Sequence, residues 1–344
     1  MGYIISLILA IAGWKAMQII KLPAAALLGP MLFVGIANIA GIGLTPFPPL
    51  VTSILQIILG IFVGVKIDRE KVEFLKSGMA VPTLMVVFWT ILSAIISSAV
   101  LIRLTNLDIA TILFGATPGG IAEMSIVSMN YGADVAIVSL LQFLRLIMVI
   151  TIIPMIAVRF RSVAKDEAAA AQDEQQPEQT KDKAKTYIII GSGLIVGGAF
   201  TYFGLPAGGI IGGSIGVGAT SIILNSRVNV PVFGVRIAQM GIGLIIGMRF
   251  RHDTLTAFGQ LMVPSLIFSL LMVISGVLLA FSIKRLTNWD LATCMVCSAP
   301  AGISQMILVA ADIKADLIKV TYFHLIRLLT IYLIINQIYQ WYLN

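Results

Sequence analysis

Apolar segments of about 20 residues follow one another along the whole chain, and most charged residues lie in the short stretches between them. A helix needs roughly 20 apolar residues to cross a hydrocarbon core about 30 Å thick. Of the 344 residues, 58% are hydrophobic and only 11% are charged, whereas a soluble domain carries about 25% charged residues. The chain cannot cover itself with polar surface. We therefore expect an all-α, multi-pass membrane protein whose main partner is the lipid bilayer.

Each half of the chain contains six such segments. Those of the first half are 3–20, 24–41, 51–66, 79–103, 108–129 and 134–158, and those of the second half are 186–203, 207–225, 232–248, 260–283, 289–309 and 316–342. The stretch between the halves is rich in Ala, Gln, Glu and Lys, which is typical of a solvated linker. We predict a first membrane repeat over 1–158, a charged cytoplasmic linker over 159–185 and a second membrane repeat over 186–344.

The two halves are copies of one another. Residues of the same type recur at a spacing of 183 or 182, and examples are Gly60 with Gly243, Gly64 with Gly247, Asp108 with Asp290 and Arg145 with Arg327. The sequence ATPGGIAEM (116–124) likewise matches SAPAGISQM (298–306). The glycines, spaced four apart, are expected to let helices approach closely. The two aspartates are expected to cap helix N-termini.

The positions of the basic residues decide whether the copies are parallel or inverted. If all twelve segments cross the membrane, the loop lysines and arginines divide evenly between the two sides. If the fifth segment of each half enters and returns by the same face, only Arg103, Arg249 and Arg251 lie outside. Cytoplasmic loops carry the excess of Lys and Arg. We therefore predict two inverted repeats, each of about five transmembrane helices plus one re-entrant or broken helix, with both chain ends outside.

The predicted hairpins turn at residues 117–120 (TPGG, tip 1) and 299–302 (APAG, tip 2). Each arm of about nine residues forms about 14 Å of helix, which reaches the membrane midplane. Proline removes a backbone donor and glycine permits a tight reversal. A crossing helix that is broken at the same tip stays the alternative. In either case, the non-helical backbone must lie inside protein or beside a water-filled cavity.

The two motifs, in a duplicated membrane protein of this length, resemble the AbrB-family integral membrane proteins, which are distinct from the soluble transcription regulator of the same name. The resemblance covers both halves and implies a protein of the bacterial inner membrane. The family has been labelled an ammonia monooxygenase and, elsewhere, a regulator of gene expression. Neither label has a mechanism visible in these residues. The second copy departs from the first, with Ala301 in place of Gly119 and Gln305 in place of Glu123.

The candidate substrate site is built around the two tips, because transporters made of inverted repeats hold substrate and coupling ions at half-helix ends near the midplane. Glu123 is either functional or paired with an arginine, since an ionisable group at that depth is costly. Arg145 and Arg327 either clamp an anionic substrate or bond tip carbonyls and hold the fold. The predicted substrate-binding residues are Thr117, Pro118, Gly119, Gly120, Glu123, Gln142, Arg145, Ser298, Pro300, Gly302, Ser304, Gln305, His324 and Arg327.

The leading functional hypothesis is a secondary transporter of a small anionic molecule, which works by alternating access around the tips and is not an enzyme. A coupling ion, H⁺ or Na⁺, and a homodimer are left open. A membrane sensor that acts through a partner is the alternative. A monooxygenase is least favoured, because oxygen chemistry needs several metal ligands and the only histidines are His252 and His324. We predict no cofactor, no metal and no nucleic-acid partner, with Cys294 and Cys297 packing between helices.

Overall fold

A computed structural model describes residues 2–343, except 21, 23, 68, 70–72, 74–78, 161–182, 206, 229–230 and 288. Its regular elements in these residues are fourteen α-helices: α1 Gly2–Ile19, α2 Ala25–Ile39, α3 Pro49–Gly64, α4 Ala80–Leu104, α5 Ile109–Ala116, α6 Ile121–Met129, α7 Val135–Arg159, α8 Lys183–Tyr202, α9 Gly208–Ile223, α10 Val232–Gly247, α11 His252–Leu286, α12 Leu291–Ser298, α13 Ile303–Asp312 and α14 Leu317–Leu343. Among the described helices, α1, α4, α7, α8, α11 and α14 are long and apolar enough to cross a membrane. The prediction of an all-α, multi-pass membrane protein is confirmed.

Two helices begin earlier in the chain than the predicted apolar segments, because polar residues form their first turns. Helix α11 begins at His252, before the predicted start at residue 260. The backbone N–H of Arg251 donates to Thr254 Oγ1 at 3.0 Å, and Asp253 lies in the first turn, where a carboxylate favours a helix N-terminus. Helix α8 likewise begins at Lys183, inside the predicted linker. Most of that linker lies outside the described residues, and its cytoplasmic location stays a prediction.

The chain divides into two compact units, and each unit takes segments from both halves of the sequence. Unit 1 comprises Met1–Arg69, Ala122–Leu140 and Gln179–Gln260, and unit 2 comprises Glu70–Ile121, Leu141–Glu178 and Leu261–Asn344. Unit 1 therefore contains α1–α3 and their counterparts α8–α10. Unit 2 contains α4, α5 and α12–α14 with most of α7 and α11.

Helices of unit 1 pack through glycines in a reciprocal way. A Cβ atom added to Gly60 of α3 would lie 2.5 Å from the carbonyl oxygen of Ile210 in α9. The equivalent Gly243 of α10 faces the carbonyl oxygen of Leu27 in α2, which is the equivalent of Ile210. Exchanging the two copies turns one contact into the other, which is the pattern of a two-fold relation within unit 1. The predicted close packing at these glycines is confirmed.

The same exchange recurs one helical turn along. A Cβ atom on Gly64 would lie 2.8 Å from the carbonyl oxygen of Ser214, and one on Gly247 would lie 2.6 Å from that of Met31. Neither helix pair has room for a methyl group at these positions. A two-fold axis in the membrane plane gives inverted copies and one along the membrane normal gives parallel copies. The inverted orientation stays a prediction.

Cysteine labelling distinguishes the two orientations. In the predicted inverted topology, Asn130 faces the outside and Lys314 faces the cytoplasm. In a chain with Cys294 and Cys297 changed to alanine, a membrane-impermeant maleimide is expected to label Asn130→Cys on intact cells. It should label Lys314→Cys only after the cells are permeabilised. Labelling of both positions from one side would show that the copies are parallel.

Unit 2 is centred on α14, which contacts α4, α5, α12 and α13. Thr83 Oγ1 of α4 and Tyr322 Oη of α14 form a buried hydrogen bond of 2.9 Å. Trp89 Nε1 of α4 donates to Ser275 Oγ of α11 at 2.8 Å. Polar side chains in a membrane bundle find partners on neighbouring helices in this way. These contacts join the first half of the sequence to the second inside one unit, which also contains both tips.

Candidate functional site

The segment around tip 2 is a re-entrant hairpin. The backbone N–H of Asp316, just after α13, donates to Oγ1 of Thr293, which lies near the start of α12, at 3.2 Å. At 1.5 Å per residue, one continuous crossing helix would separate these two residues by about 34 Å. The chain therefore reverses direction at tip 2, so that the start of α12 and the end of α13 lie side by side. In the second copy this decides between the two alternatives for the fifth segment in favour of the hairpin.

Tip 1 lies at the equivalent break in the first copy, between the end of α5 at Ala116 and the start of α6 at Ile121. Both α5 and α12 begin with the predicted aspartate cap. Oδ1 of Asp108 accepts a hydrogen bond from the backbone N–H of Thr111 at 2.8 Å. Oδ1 of Asp290 accepts one from the backbone N–H of Thr293 at 2.7 Å. The capping role predicted for both aspartates is confirmed.

Two side chains of α7 hold the backbone of tip 1. Nε2 of Gln142 donates to the carbonyl oxygens of Phe114 and Thr117 at 2.7 and 2.9 Å. Nη1 of Arg145 donates to the same Thr117 oxygen at 2.9 Å, and its Nη2 donates to that of Gly119 at 2.5 Å. Both side chains are fully buried. The break in the helix leaves these carbonyls without backbone partners, and the two side chains supply the missing donors.

Two side chains of α14 hold tip 2 in the same manner. Nη2 of Arg327 donates to the carbonyl oxygens of Cys297 and Ser298, at 3.1 Å each, and its Nη1 donates to that of Ala299. Nε2 of His324 lies 3.2 Å from the same Ala299 oxygen. Arg327 and His324 are both buried. One carbonyl in each tip thus meets two side chains that are three residues apart on one helix.

The arginines lie where the partial negative charges of two helix C-termini gather, at the ends of α5 and α12. A helix C-terminus carries about half a negative charge, which favours a nearby cation. Of the two interpretations of Arg145 and Arg327, the structure contains the hydrogen bonds expected for holding the tips. Contact of either arginine with a substrate stays a prediction.

The positive charge at the tips is not fully offset. Within the part of the chain that the structure describes, neither arginine forms a salt bridge. The ion pair of Lys319 with Asp316 lies at the start of α14 and does not involve them. Nε of Arg145 and Oε1 of Gln142 are also buried without a hydrogen-bond partner among the described residues. Counted with the half-positive N-termini of α6 and α13, the two arginines outweigh the half-negative C-termini of α5 and α12 even against one carboxylate at Glu123. A net positive potential is therefore left around the tips.

The two tips touch each other. A Cβ atom added to Gly302 would lie 3.3 Å from Cα of Gly120 in tip 1 and 2.6 Å from Oε1 of Gln305. Gly302 is the N-cap residue of α13, and the Gln305 side chain folds back towards it from the first turn. A side chain at this position would displace the Gln305 side-chain end and crowd the backbone of tip 1. The backbone of both tips, including Pro118 and Pro300, is buried.

The predicted hydroxyl ligands are turned towards their own helices. Oγ1 of Thr117 donates to the carbonyl oxygen of Leu113 at 2.6 Å, and Oγ of Ser298 donates to that of Met295 at 3.0 Å. The side chain of Ser304 lies outside what the structure describes. At the tips the structure thus presents chiefly backbone groups and the anchoring side chains, rather than free hydroxyls.

Glu123 lies in the first turn of α6 and is half-buried. It belongs to unit 1, whereas both tips belong to unit 2. Its predicted role at the site remains untested. Cys294 and Cys297 are free and buried. Within the described ranges, no three His, Cys, Asp or Glu side chains are grouped to hold a metal ion.

Comparison with known proteins identifies relatives over nearly the whole chain. The family described as "Transition state regulatory protein AbrB" matches residues 1–157 and 75–343. A protein of Escherichia coli (strain K12) named "Putative regulator AbrB" is 26% identical over 339 residues, which cover 96% of this chain and 92% of that protein. "Uncharacterized protein YhjN" of Bacillus subtilis (strain 168) is 25% identical over 302 residues, covering 83% of this chain and 77% of that protein.

Proposed function

The chain belongs to the AbrB family, and we propose that it is a secondary transporter of the bacterial inner membrane whose substrate binds at the two tips. The observation that carries this proposal is the contact between Gly120 and Gly302. This contact brings together the two tips, each of which is the break between a pair of half-helices. Inverted-repeat transporters hold substrates and coupling ions at such half-helix ends.

The anchoring side chains support a binding role for the tips. A continuous helix would satisfy its own carbonyls, whereas carbonyls at each break here accept hydrogen bonds from a buried arginine. Irregular backbone survives in a membrane where protein or a water-filled cavity surrounds it. The same device is present in both copies, with Gln142 and Arg145 at tip 1 and His324 and Arg327 at tip 2. A break that serves transport explains why both copies keep it.

The substrate that suits this environment is a small anion. The two arginines carry more positive charge than the helix C-termini offset, and an anion completes the balance. The arginines are buried beneath the tip backbone, so their attraction acts mainly through the field around the tips. Coupling to H⁺ or Na⁺ stays open.

A thermal-stability screen of the purified full chain tests the substrate class. Matched sets of a carboxylic acid, its neutral amide and the corresponding amine keep the carbon skeleton constant and vary the charge. Acids are expected to raise the unfolding temperature by more than their amides, and the amines should have no effect. Stabilisation by amines in preference to acids would contradict the anionic substrate.

A membrane sensor that acts through a partner protein is the second candidate. It is favoured by the name of the Escherichia coli relative, which calls that protein a regulator. A sensor binds its ligand at the same tips but does not carry it across the membrane. Transport measurements, rather than binding measurements, therefore separate the two functions.

A further inference from the structure

Unit 1 contains a cavity of about 470 Å³ that shares no lining residue with the tips. It is lined by the loop residues Pro46 and Phe47, the first half of α3, the end of α6 and the end of α10. The volume falls within the range of about 300–1,000 Å³ that is typical of small-molecule sites. The predicted site residues include none of its lining residues.

One wall of the cavity is a polar stripe on α3. Thr52, Ser53 and Gln56 all line it, and their spacing places them on one face of the helix. They are the only polar residues of α3, whose sequence is PLVTSILQIILGIFVG. Gln56 is only 8% exposed, and a buried amide is costly unless it finds a hydrogen-bond partner. A membrane helix with its polar residues confined to this face is built to meet a polar ligand or water there.

The rim of the cavity carries a cation. Arg249 follows α10, lines the cavity and is exposed. None of the described lining residues is acidic. In the predicted topology Arg249 is also one of three loop arginines on the outside, where basic residues are disfavoured. An arginine on the side of the membrane where basic residues are rare suits the capture of an anion.

The remaining wall is apolar and includes Phe47, Ile245 and Met248. We propose that the cavity binds a small organic monocarboxylate. Its carboxylate lies at Arg249, its apolar body lies against these three side chains, and Thr52 and Gln56 supply hydrogen bonds, since the Ser53 hydroxyl donates to the carbonyl oxygen of Pro49. This binding does not depend on the proposed transport function.

Equilibrium binding of radiolabelled benzoate to the purified full chain in detergent tests this site. Benzoate is expected to bind saturably, and unlabelled benzyl alcohol, which has nearly the same shape without the charge, should not compete. Arg249→Gln is expected to weaken binding about tenfold or more, because a charge-assisted hydrogen bond is lost. Arg251→Gln, which removes the same charge from the same loop outside the cavity, is the matched control and should leave affinity unchanged.

A second variant tests the cavity at a residue outside the loop that contains Arg249 and Arg251. Gln56→Leu preserves side-chain volume and is expected to weaken benzoate binding severalfold. Gly198→Val on α8, where an added Cβ meets no atom within 4 Å, should bind benzoate as the wild type does. This pattern would hold even if the protein transports nothing, so the two proposals can fail separately. Absence of saturable binding, equal effects of the Arg249 and Arg251 variants, or full competition by benzyl alcohol would overturn the assignment.

Discussion

Replacement of Arg327 by lysine is expected to abolish transport and to destabilise the protein, although the positive charge is kept. The guanidinium donates to three successive carbonyls where α12 ends and tip 2 begins, those of Cys297, Ser298 and Ala299. A lysine ammonium is a compact donor on a flexible stem and cannot reproduce that fork. At least one buried carbonyl would lose its partner, at about 1–3 kcal/mol for each group.

Two measurements check this expectation. One is the unfolding temperature of the purified protein, and the other is the uptake into proteoliposomes of a labelled acid found by the stability screen. Arg145→Lys should behave in the same way, because Arg145 bonds two carbonyls of tip 1. The matched control is Arg285→Lys, an exposed position in the last turn of α11, which should leave both quantities unchanged. Wild-type stability and uptake in Arg327→Lys would show that charge alone matters and that the fork does not anchor the tip.

Replacement of Gly302 by valine is expected to reduce transport by about tenfold or more while the protein still inserts into the membrane. Overpacking of this kind costs about 1–3 kcal/mol, which corresponds to roughly five- to 150-fold in an equilibrium or rate. An added Cβ would meet Gly120 of tip 1 and the Gln305 side chain, and backbone is far less able to yield than a side-chain end. The two tips would have to separate.

The control for this variant is Gly198→Val on α8, where an added Cβ meets no atom within 4 Å. It should match the wild type in membrane yield and in uptake. Wild-type uptake in Gly302→Val would move the substrate site away from the contact between the tips. Loss of membrane insertion in Gly302→Val, with Gly198→Val normal, would instead make the glycine a requirement for folding.

The features that the sequence predicted correctly are those indicated by residues close together in the chain. A proline with a glycine within two residues predicts a break inside an apolar segment, and the break is present at both tips. An aspartate at the start of each such segment predicts an N-terminal cap, and both caps are formed. Glycines spaced four residues apart predict close helix packing, and Gly60 and Gly243 show it in equivalent places. Each of these inferences needs only neighbouring residues and their conformational preferences.

The features that stayed open depend on which distant segments meet. A buried arginine needs acceptors, but the sequence alone did not decide between a substrate and the carbonyls that the tip exposes. The compact units also cross the repeat boundary, because helices of one copy pack on helices of the other, as Gly60 does on α9. Such pairing follows from surface complementarity and is not encoded in segment order.

The cavity of unit 1 was missed although part of its signal is visible in the sequence. Thr52, Ser53 and Gln56 form a polar face at helical spacing within the apolar segment 51–66. The cation that completes the cavity, Arg249, lies far away in the chain. A polar face on a membrane helix indicates a cavity or a polar partner, but its charge and shape come from the helices that pack around it.

Counterflow exchange in proteoliposomes tests most directly whether the protein is a transporter. Vesicles with purified protein are loaded with an unlabelled ligand found by the stability screen and diluted into buffer that contains a trace of the labelled ligand. A secondary transporter accumulates the label transiently, well beyond one molecule per protein, and Gly302→Val should abolish that accumulation. Labelled ligand that binds at one molecule per protein and never accumulates would contradict transport and favour the membrane sensor.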